Sequence, residues 1–280
     1  MVRIITDSSA DFEPRELEQL NITCIPIQVS LDDKEYEENV NLTKDQFFQL
    51  LAETGASPKT SQPSPRHLMD AFASAVEAGE EALYITMSSG ISGTYQSACM
   101  IRDEMESDKC FVLDSLNATA GQRIQVQYAV RLRDEGKSAA EIVEAVKAMQ
   151  DKFVLYACLD TLEYLYRGGR ISQTVYKLST MAQVKPIIRV AENGTIEVPA
   201  KALGMRKGID WLAKKAEQYT QDPDHKCYIM YTADDSNAQL LAQKLRTQGV
   251  SIEDDQIVQV GAGIGSHVGP NVCGFVFVQK

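Results

Sequence analysis

Apolar residues fall in short blocks separated by polar turns, and the blocks alternate between two spacings. Val2–Thr6, Thr23–Val29, Ala82–Thr86, Cys110–Leu113 and Phe153–Leu159 are continuous apolar runs rich in β-branched residues, which predict buried strands. Between them the spacing becomes helical. Thr43 and Gln46 form a capping box ahead of Phe47, Phe48, Leu50 and Leu51, and Ser64 followed by Pro65 is a second helix start. Further helices are predicted near Thr94–Met105 and Ala118–Glu135, with another opening at Ser138-Ala139-Ala140-Glu141. Strands alternating with helices predict a mainly parallel sheet.

The pattern changes near Leu159. A helical stretch runs from Tyr164 to Ile171. A hairpin of Lys185–Val190 and Thr195–Lys201 follows, turned by Asn193-Gly194. Then come a helix over Met205–Gln221, a strand over Cys227–Thr232, a helix over Ser236–Gln248 and strands over Ile252–Val260 and Gly274–Val278. The expected architecture is two α/β domains, residues 1–158 with the parallel sheet and residues 159–280 smaller, with a mixed sheet.

Composition adds constraints. The 280 residues carry a net charge of −11, which argues against nucleic acid as a partner. The charge is unevenly spread: Leu165 to Lys215 holds ten Lys or Arg against three acids. That window is either an ordinary basic face or a patch that meets a phosphate or an acidic partner. The six cysteines show no metal-ligand or C-x-x-C spacing and lie partly in apolar runs, as expected of buried thiols in a reducing compartment. No apolar run suits stable membrane insertion, and the first residues enter a strand at once, so a cytoplasmic location is expected.

Two hydroxyl-rich runs carry the candidate chemistry: Thr60-Ser61-Gln62-Pro63-Ser64-Pro65 and Ser88-Ser89-Gly90-Ile91-Ser92-Gly93-Thr94. Both precede helical patterns, so both are expected at strand-to-helix turns of the parallel sheet, where such folds bind ligands. Helix-start N–H groups and neutral hydroxyls suit a small anion such as a carboxylate or phosphate. A nucleophile elbow is not what the second run spells, because the position two after Ser92 is Thr94 rather than glycine. The Thr6-Asp7-Ser8-Ser9-Ala10-Asp11 turn is equally well a capping turn or a ligand contact. Gly261-Ala262-Gly263-Ile264-Gly265-Ser266 falls short of a dinucleotide fingerprint and is expected to be a flexible segment carrying His267 toward the cleft. No metal cluster and no Walker loop is present in the sequence, and no cofactor is expected.

Taken together, Ile5-Thr6-Asp7-Ser8-Ser9-Ala10-Asp11, Thr60-Ser61-Gln62-Pro63-Ser64, Ser89-Gly90-Ile91-Ser92-Gly93-Thr94-Tyr95-Gln96-Ser97-Ala98, Leu162-Glu163-Tyr164-Leu165, Gly168-Gly169-Arg170-Ile171, Lys185-Pro186-Ile187 and His267-Val268-Gly269-Pro270 resemble the DegV family of bacterial fatty-acid-binding proteins. The resemblance implies a two-domain α/β protein enclosing a long-chain fatty acid, whose carboxylate is presented to a separate fatty acid kinase that makes an acyl phosphate. By the same resemblance Thr60 and Ser92 bind the carboxylate, with Ser61 and the Gly93 N–H nearby and His267 approaching the head group. Arg170 and Arg206 would face the kinase or the transferred phosphate. Asp114–Thr119 and Asn271 depart from the commoner family pattern. Two other readings stay open: a phosphoryl- or acyl-transfer enzyme using Ser92 or His267, and a lipid sensor.

Overall fold

The computed structural model describes residues 1–177 and 183–280. In chain order its strands are β1 (Val2–Asp7), β2 (Ile22–Ile25), β3 (Gln28–Leu31), β4 (Lys34–Glu37), β5 (Lys59–Ser61), β6 (Glu81–Thr86), β7 (Cys110–Asp114), β8 (Phe153–Cys158), β9 (Val184–Val190), β10 (Ile196–Leu203), β11 (Tyr228–Tyr231), β12 (Ile257–Gln259) and β13 (Cys273–Val278). The helices are α1 (Pro14–Gln19), α2 (Lys44–Thr54), α3 (Pro65–Glu77), α4 (Thr94–Glu104), α5 (Ala120–Asp134), α6 (Ala139–Lys147), α7 (Glu163–Arg167), α8 (Gln173–Lys177), α9 (Met205–Ala216), α10 (Ser236–Thr247) and α11 (Ala262–Val268).

The fold is α/β, with a parallel sheet ordered β2-β1-β6-β7 and a mixed sheet ordered β10-β9-β8-β13-β11-β12. The parallel sheet is apolar on both faces, as its continuous apolar strands require. Leu68, Phe72 and Ala98 of α3 and α4 cover one face, while Val126, Val130, Ile142 and Val146 of α5 and α6 cover the other.

The mixed sheet uses the two-residue period of a strand to serve two cores. Val154, Tyr156 and Cys158 of β8, with Phe275 and Phe277 of β13, face Ile209, Leu212 and Leu241 of α9 and α10. The intervening Leu155, Ala157, Val276 and Val278 turn to the opposite side, into a core shared with Phe47, Phe48 and Ile124 from the first half of the chain. Strand β8 pairs with β9 and β13, so the mixed sheet already begins at Phe153.

Four expectations are corrected. The single strand expected over Thr23–Val29 is two strands: Pro26 has no N–H to donate and breaks the ladder, so β2 stays in the parallel sheet while β3 leaves it. Strand β3 joins β4 and β5 in a small antiparallel sheet, with Val29 opposite Thr60 and Gln28 opposite Ser61. Thr60 and Ser61 therefore stand on an edge strand, not at a crossover turn of the parallel sheet. The glycine-rich Gly261–Ser266 segment is the start of a buried helix, α11, rather than a flexible one. The strand expected over Ile252–Val260 is reduced to β12, preceded by a 3-10 turn at Asp254–Gln256.

The β9–β10 hairpin turns at Asn193-Gly194 as the sequence predicts, and its tip docks on the loop after β6. Ser88 Oγ donates to the Gly194 carbonyl at 2.8 Å, and a Cβ on Gly90 would lie 2.7 Å from the Gly194 carbonyl carbon and oxygen. Gly90→Ala is therefore expected to push the tip away and to cost about 2 kcal/mol, the scale of overpacking against backbone. Denaturant unfolding measures the loss, and faster amide exchange at Thr195 locates it; an unchanged midpoint would remove the docking contact from consideration.

Candidate functional site

One cavity of about 470 Å3 collects residues from six separate stretches of the chain. Strand β5 and its exit supply Thr60, Ser61, Gln62 and Pro63, and the β6–α4 loop supplies Ile91, Ser92, Gly93 and Thr94. Helix α11 supplies Gly263, Ile264, His267 and Val268, and the α7 region supplies Leu165 and Arg170. Ile27, from the bend between β2 and β3, and Ile196, at the start of β10, complete the lining. Ile27, Met87, Leu165, Ile264 and Val268 also belong to the core shared by the two sheets, so the cavity opens off that core.

Its lining is both polar and apolar. His267 is 8% exposed, and its Nε2 lies 2.7 Å from Thr60 Oγ1. Burial, reinforced by the neighbouring Arg170 guanidinium, lowers the imidazole to about 4, so the ring is neutral at pH 7. Its Nδ1 is buried without a hydrogen-bond partner. A bare acceptor lone pair is tolerated more readily than a stranded N–H donor, which assigns the proton to Nε2. His267 then donates to Thr60, and the Thr60 hydroxyl proton is left for an acceptor in the cavity. Ser92 Oγ is 2.8 Å from Thr94 Oγ1 and accepts the Thr94 N–H at 3.3 Å, which organises a second hydroxyl pair at the start of α4.

Two glycines shape this corner. A Cβ on Gly168 would meet His267 Nδ1 at 2.2 Å, and one on Gly269, at φ +75°, would meet the Tyr164 ring at 2.4 Å. Only glycine lets α7 approach α11 this closely.

Of the residues singled out from the sequence, the fold brings Thr60, Ser61, Ser92, Gly93, His267 and Arg170 to one cavity. Arg206 is exposed in the first turn of α9 and does not line it. Arg170 is more inward-facing than its place in the basic window suggests: Nε donates to the Ile91 carbonyl at 2.9 Å and Nη1 to the Gly168 carbonyl at 2.6 Å. The cavity is therefore not lined by neutral donors alone. Much of the rest of the basic window is neutralised at home, by Arg167 with Glu163, Lys185 with Asp160 and Arg189 with Glu197. Lys201, Arg206, Lys207 and Lys214 remain exposed.

Asp7, Ser8, Ser9 and Asp11, for which capping and ligand contact were equal expectations, stand outside the cavity lining and are buried. Asp7 caps the following 3-10 turn through the Ser9 N–H at 3.2 Å. Among the described residues no His, Cys, Asp and Glu group is arranged to hold a metal ion, and no helix is long and apolar enough to cross a membrane.

Comparison with known proteins places this arrangement in a family. The profile described as "Uncharacterised protein, DegV family" matches residues 1–280. A DegV domain-containing protein of Caldanaerobacter subterraneus subsp. tengcongensis is 32% identical over 282 residues, covering 100% of this chain and 99% of the relative. Among solved structures, a fatty-acid-binding DegV family protein from Thermus thermophilus superposes with a TM-score of 0.89 at 28% identity, covering 100% of this chain and 99% of that one. A fatty-acid-binding DegV family protein from Streptococcus agalactiae gives 0.88 at 27% identity, with the same coverage. From its first residue to its last, the chain belongs to the DegV family.

Proposed function

We propose that the cavity binds a long-chain fatty acid, with the carboxylate at the Thr60, Ser92 and His267 corner and the tail along Ile27, Leu165, Ile264 and Val268. The observation that carries this reading is the make-up of the cavity: hydroxyls, an imidazole and one guanidinium line it beside apolar side chains that belong to the core. Its volume of about 470 Å3 suits a single small ligand. The relatives from Thermus thermophilus and Streptococcus agalactiae, described as fatty-acid-binding, support the same class of ligand.

The energetics divide the work. Burying some fourteen methylenes contributes on the order of 10 kcal/mol before association and ordering costs. A hydrogen bond to a charged carboxylate adds about 1.5–3 kcal/mol. The tail supplies affinity, and the hydroxyls and Arg170 supply orientation. Thr60 and Ser92 would hold the carboxylate oxygens, with Ser61 and the Gly93 N–H at the edge of the head-group site.

The protein acts as a carrier that presents the acid to a partner fatty acid kinase, with the exposed Arg206 on the partner-facing side and Arg170 reaching in beside the head group. A transferase using Ser92 fits less well. Ser92 is bonded to Thr94, and His267 to Thr60, so the two do not form a nucleophile–base pair.

Extraction of the purified protein followed by mass spectrometry is expected to yield a long-chain acid, and added palmitate to raise Tm by mass action. No co-purifying acid together with an unmoved Tm would end the reading. Turnover of an acyl ester by the isolated chain, lost in Ser92→Ala, would replace it with the transferase.

A further inference from the structure

We propose that Glu38 is the positioning residue of this cavity: from outside the lining, its carboxylate ties together the two walls, Ile27 and α11, between which the acyl chain lies. The ligand in this proposal rests on the fatty-acid reading, whereas the geometry does not.

Glu38 is 1% exposed and is not among the lining residues. One carboxylate oxygen, Oε2, accepts the Ser8 hydroxyl at 2.5 Å, and Ser8 Oγ in turn accepts the Ile27 N–H at 2.9 Å. The Glu38 N–H closes the loop by donating to the Ile27 carbonyl at 3.1 Å. The other oxygen, Oε1, accepts the Gly263 N–H at 3.0 Å.

That last contact meets a need of α11. A helix leaves its first N–H groups without intrahelical partners, and the residue preceding this helix, Gly261, has no side chain with which to cap them. Distant carboxyl groups do so instead, Glu38 at Gly263 and Asp11 at the Gly261 N–H, 2.8 Å away. Asp11 is itself anchored through its carbonyl, which accepts Lys44 Nζ at 2.9 Å and Arg123 Nη1 at 3.2 Å.

Gly263 and His267 are one helical turn apart and share a face, and both line the cavity. A shift at the Glu38 contact is therefore delivered to the His267–Thr60 pair. The packing leaves little slack in which to absorb it: a Cβ on Gly263 would lie 2.9 Å from Ile27 Cδ1 and 3.0 Å from Glu38 Oε2.

The chemistry favours a carboxylate over an amide. Both partners, the Ser8 hydroxyl and the Gly263 N–H, are donors, so the site needs two acceptor oxygens. Glutamine offers one, and its NH2 must turn toward Ser8, whose own proton is then unpaired. Alanine removes both links.

The test uses the full chain with Glu38→Ala and Glu38→Gln, reading the His267 ring nitrogens by 15N NMR without ligand, palmitate affinity by titration, and Tm. Glu38→Ala is expected to move the His267 ring resonances and to weaken palmitate about tenfold, the scale of one lost buried hydrogen bond. Glu38→Gln is expected to fall between it and the wild type in both. Unmoved ring resonances and unchanged affinity, with only Tm lowered, would reduce Glu38 to a structural residue and overturn the proposal. A glutamine variant that fails to fold would do the same. Failure of the wild type to bind palmitate would sink the fatty-acid reading, while the ligand-free ring spectrum still decides the positioning role.

Discussion

Thr60→Val is expected to weaken palmitate binding about a hundredfold, and Ser92→Ala about tenfold. Both sit within the worth of hydrogen bonds to a charged carboxylate, about 1.5–3 kcal/mol each. The threonine change is the larger because Thr60 is the outlet of a chain. His267 Nε2–H donates to Thr60 Oγ1 across 2.7 Å and polarises the hydroxyl that faces the ligand. Valine keeps the shape, removes the outlet and strands the imidazole N–H. Ser92 loses only its own donor, because Thr94 remains beside it. A methyl ester of the same acid separates head group from tail: it fills the apolar wall without presenting a carboxylate, and its binding is expected to respond far less to either change. Competition titration at fixed pH measures all four combinations. Equal losses for acid and ester would mean that the hydroxyls shape the wall without gripping the carboxylate, and would remove the head group from this corner.

That these hydroxyls are candidates for one site was legible in the sequence, because runs such as Thr60–Ser64 and Ser88–Thr94 break a strand–helix rhythm, and the fold brings both runs to one cavity. How they meet was not legible. Thr60 reaches the cavity on an edge strand that exists only because Pro26 diverts β3 out of the parallel sheet. Helix α11 shows the opposite failure. Glycine at every second position from Gly261 to Gly265 gives a weak local preference for helix, and the segment reads as a flexible loop. Its helicity is set by tertiary contact, since a Cβ at Gly265 would lie 2.9 Å from Phe48 Cζ and 3.0 Å from Phe47 Cε1. The sequence flags the turn that holds Ser8 and Asp11, but their meeting with Glu38 and α11 left no signal, because residues 8, 11, 38, 261 and 263 come together through topology alone. The paired apolar faces of β8 and β13 were readable because alternation along a strand is a local property.

Stability is expected to fall by about 3 kcal/mol more in the wild type than in His267→Gln between pH 7 and pH 4. The sign follows from burial. The folded chain holds the His267 imidazole at about 4, against 6.5 when exposed, so between those values the unfolded chain binds a proton that the folded chain refuses. Stability from this group is complete above pH 6.5 and is lost as pH falls through the window. Arg170 faces the ring and adds to the cost of protonation, whereas Thr60 carries no charge. The wild-type curve alone does not isolate the effect, because Asp11 opposes it. Burial raises that carboxyl from 3.8 to about 8, so the folded chain keeps a proton there that the unfolded chain releases, and this contribution weakens as pH rises across the same range. Subtracting the His267→Gln curve cancels Asp11 and every other shared group, and it leaves the slope of one imidazole. Urea unfolding at intervals from pH 4 to pH 7 supplies both curves. Bound palmitate is expected to flatten the difference, since a carboxylate beside the ring favours the imidazolium. A difference curve without slope in the ligand-free protein would mean that the ring is open to water, and with it the Nε2–H donation to Thr60 would lose its footing.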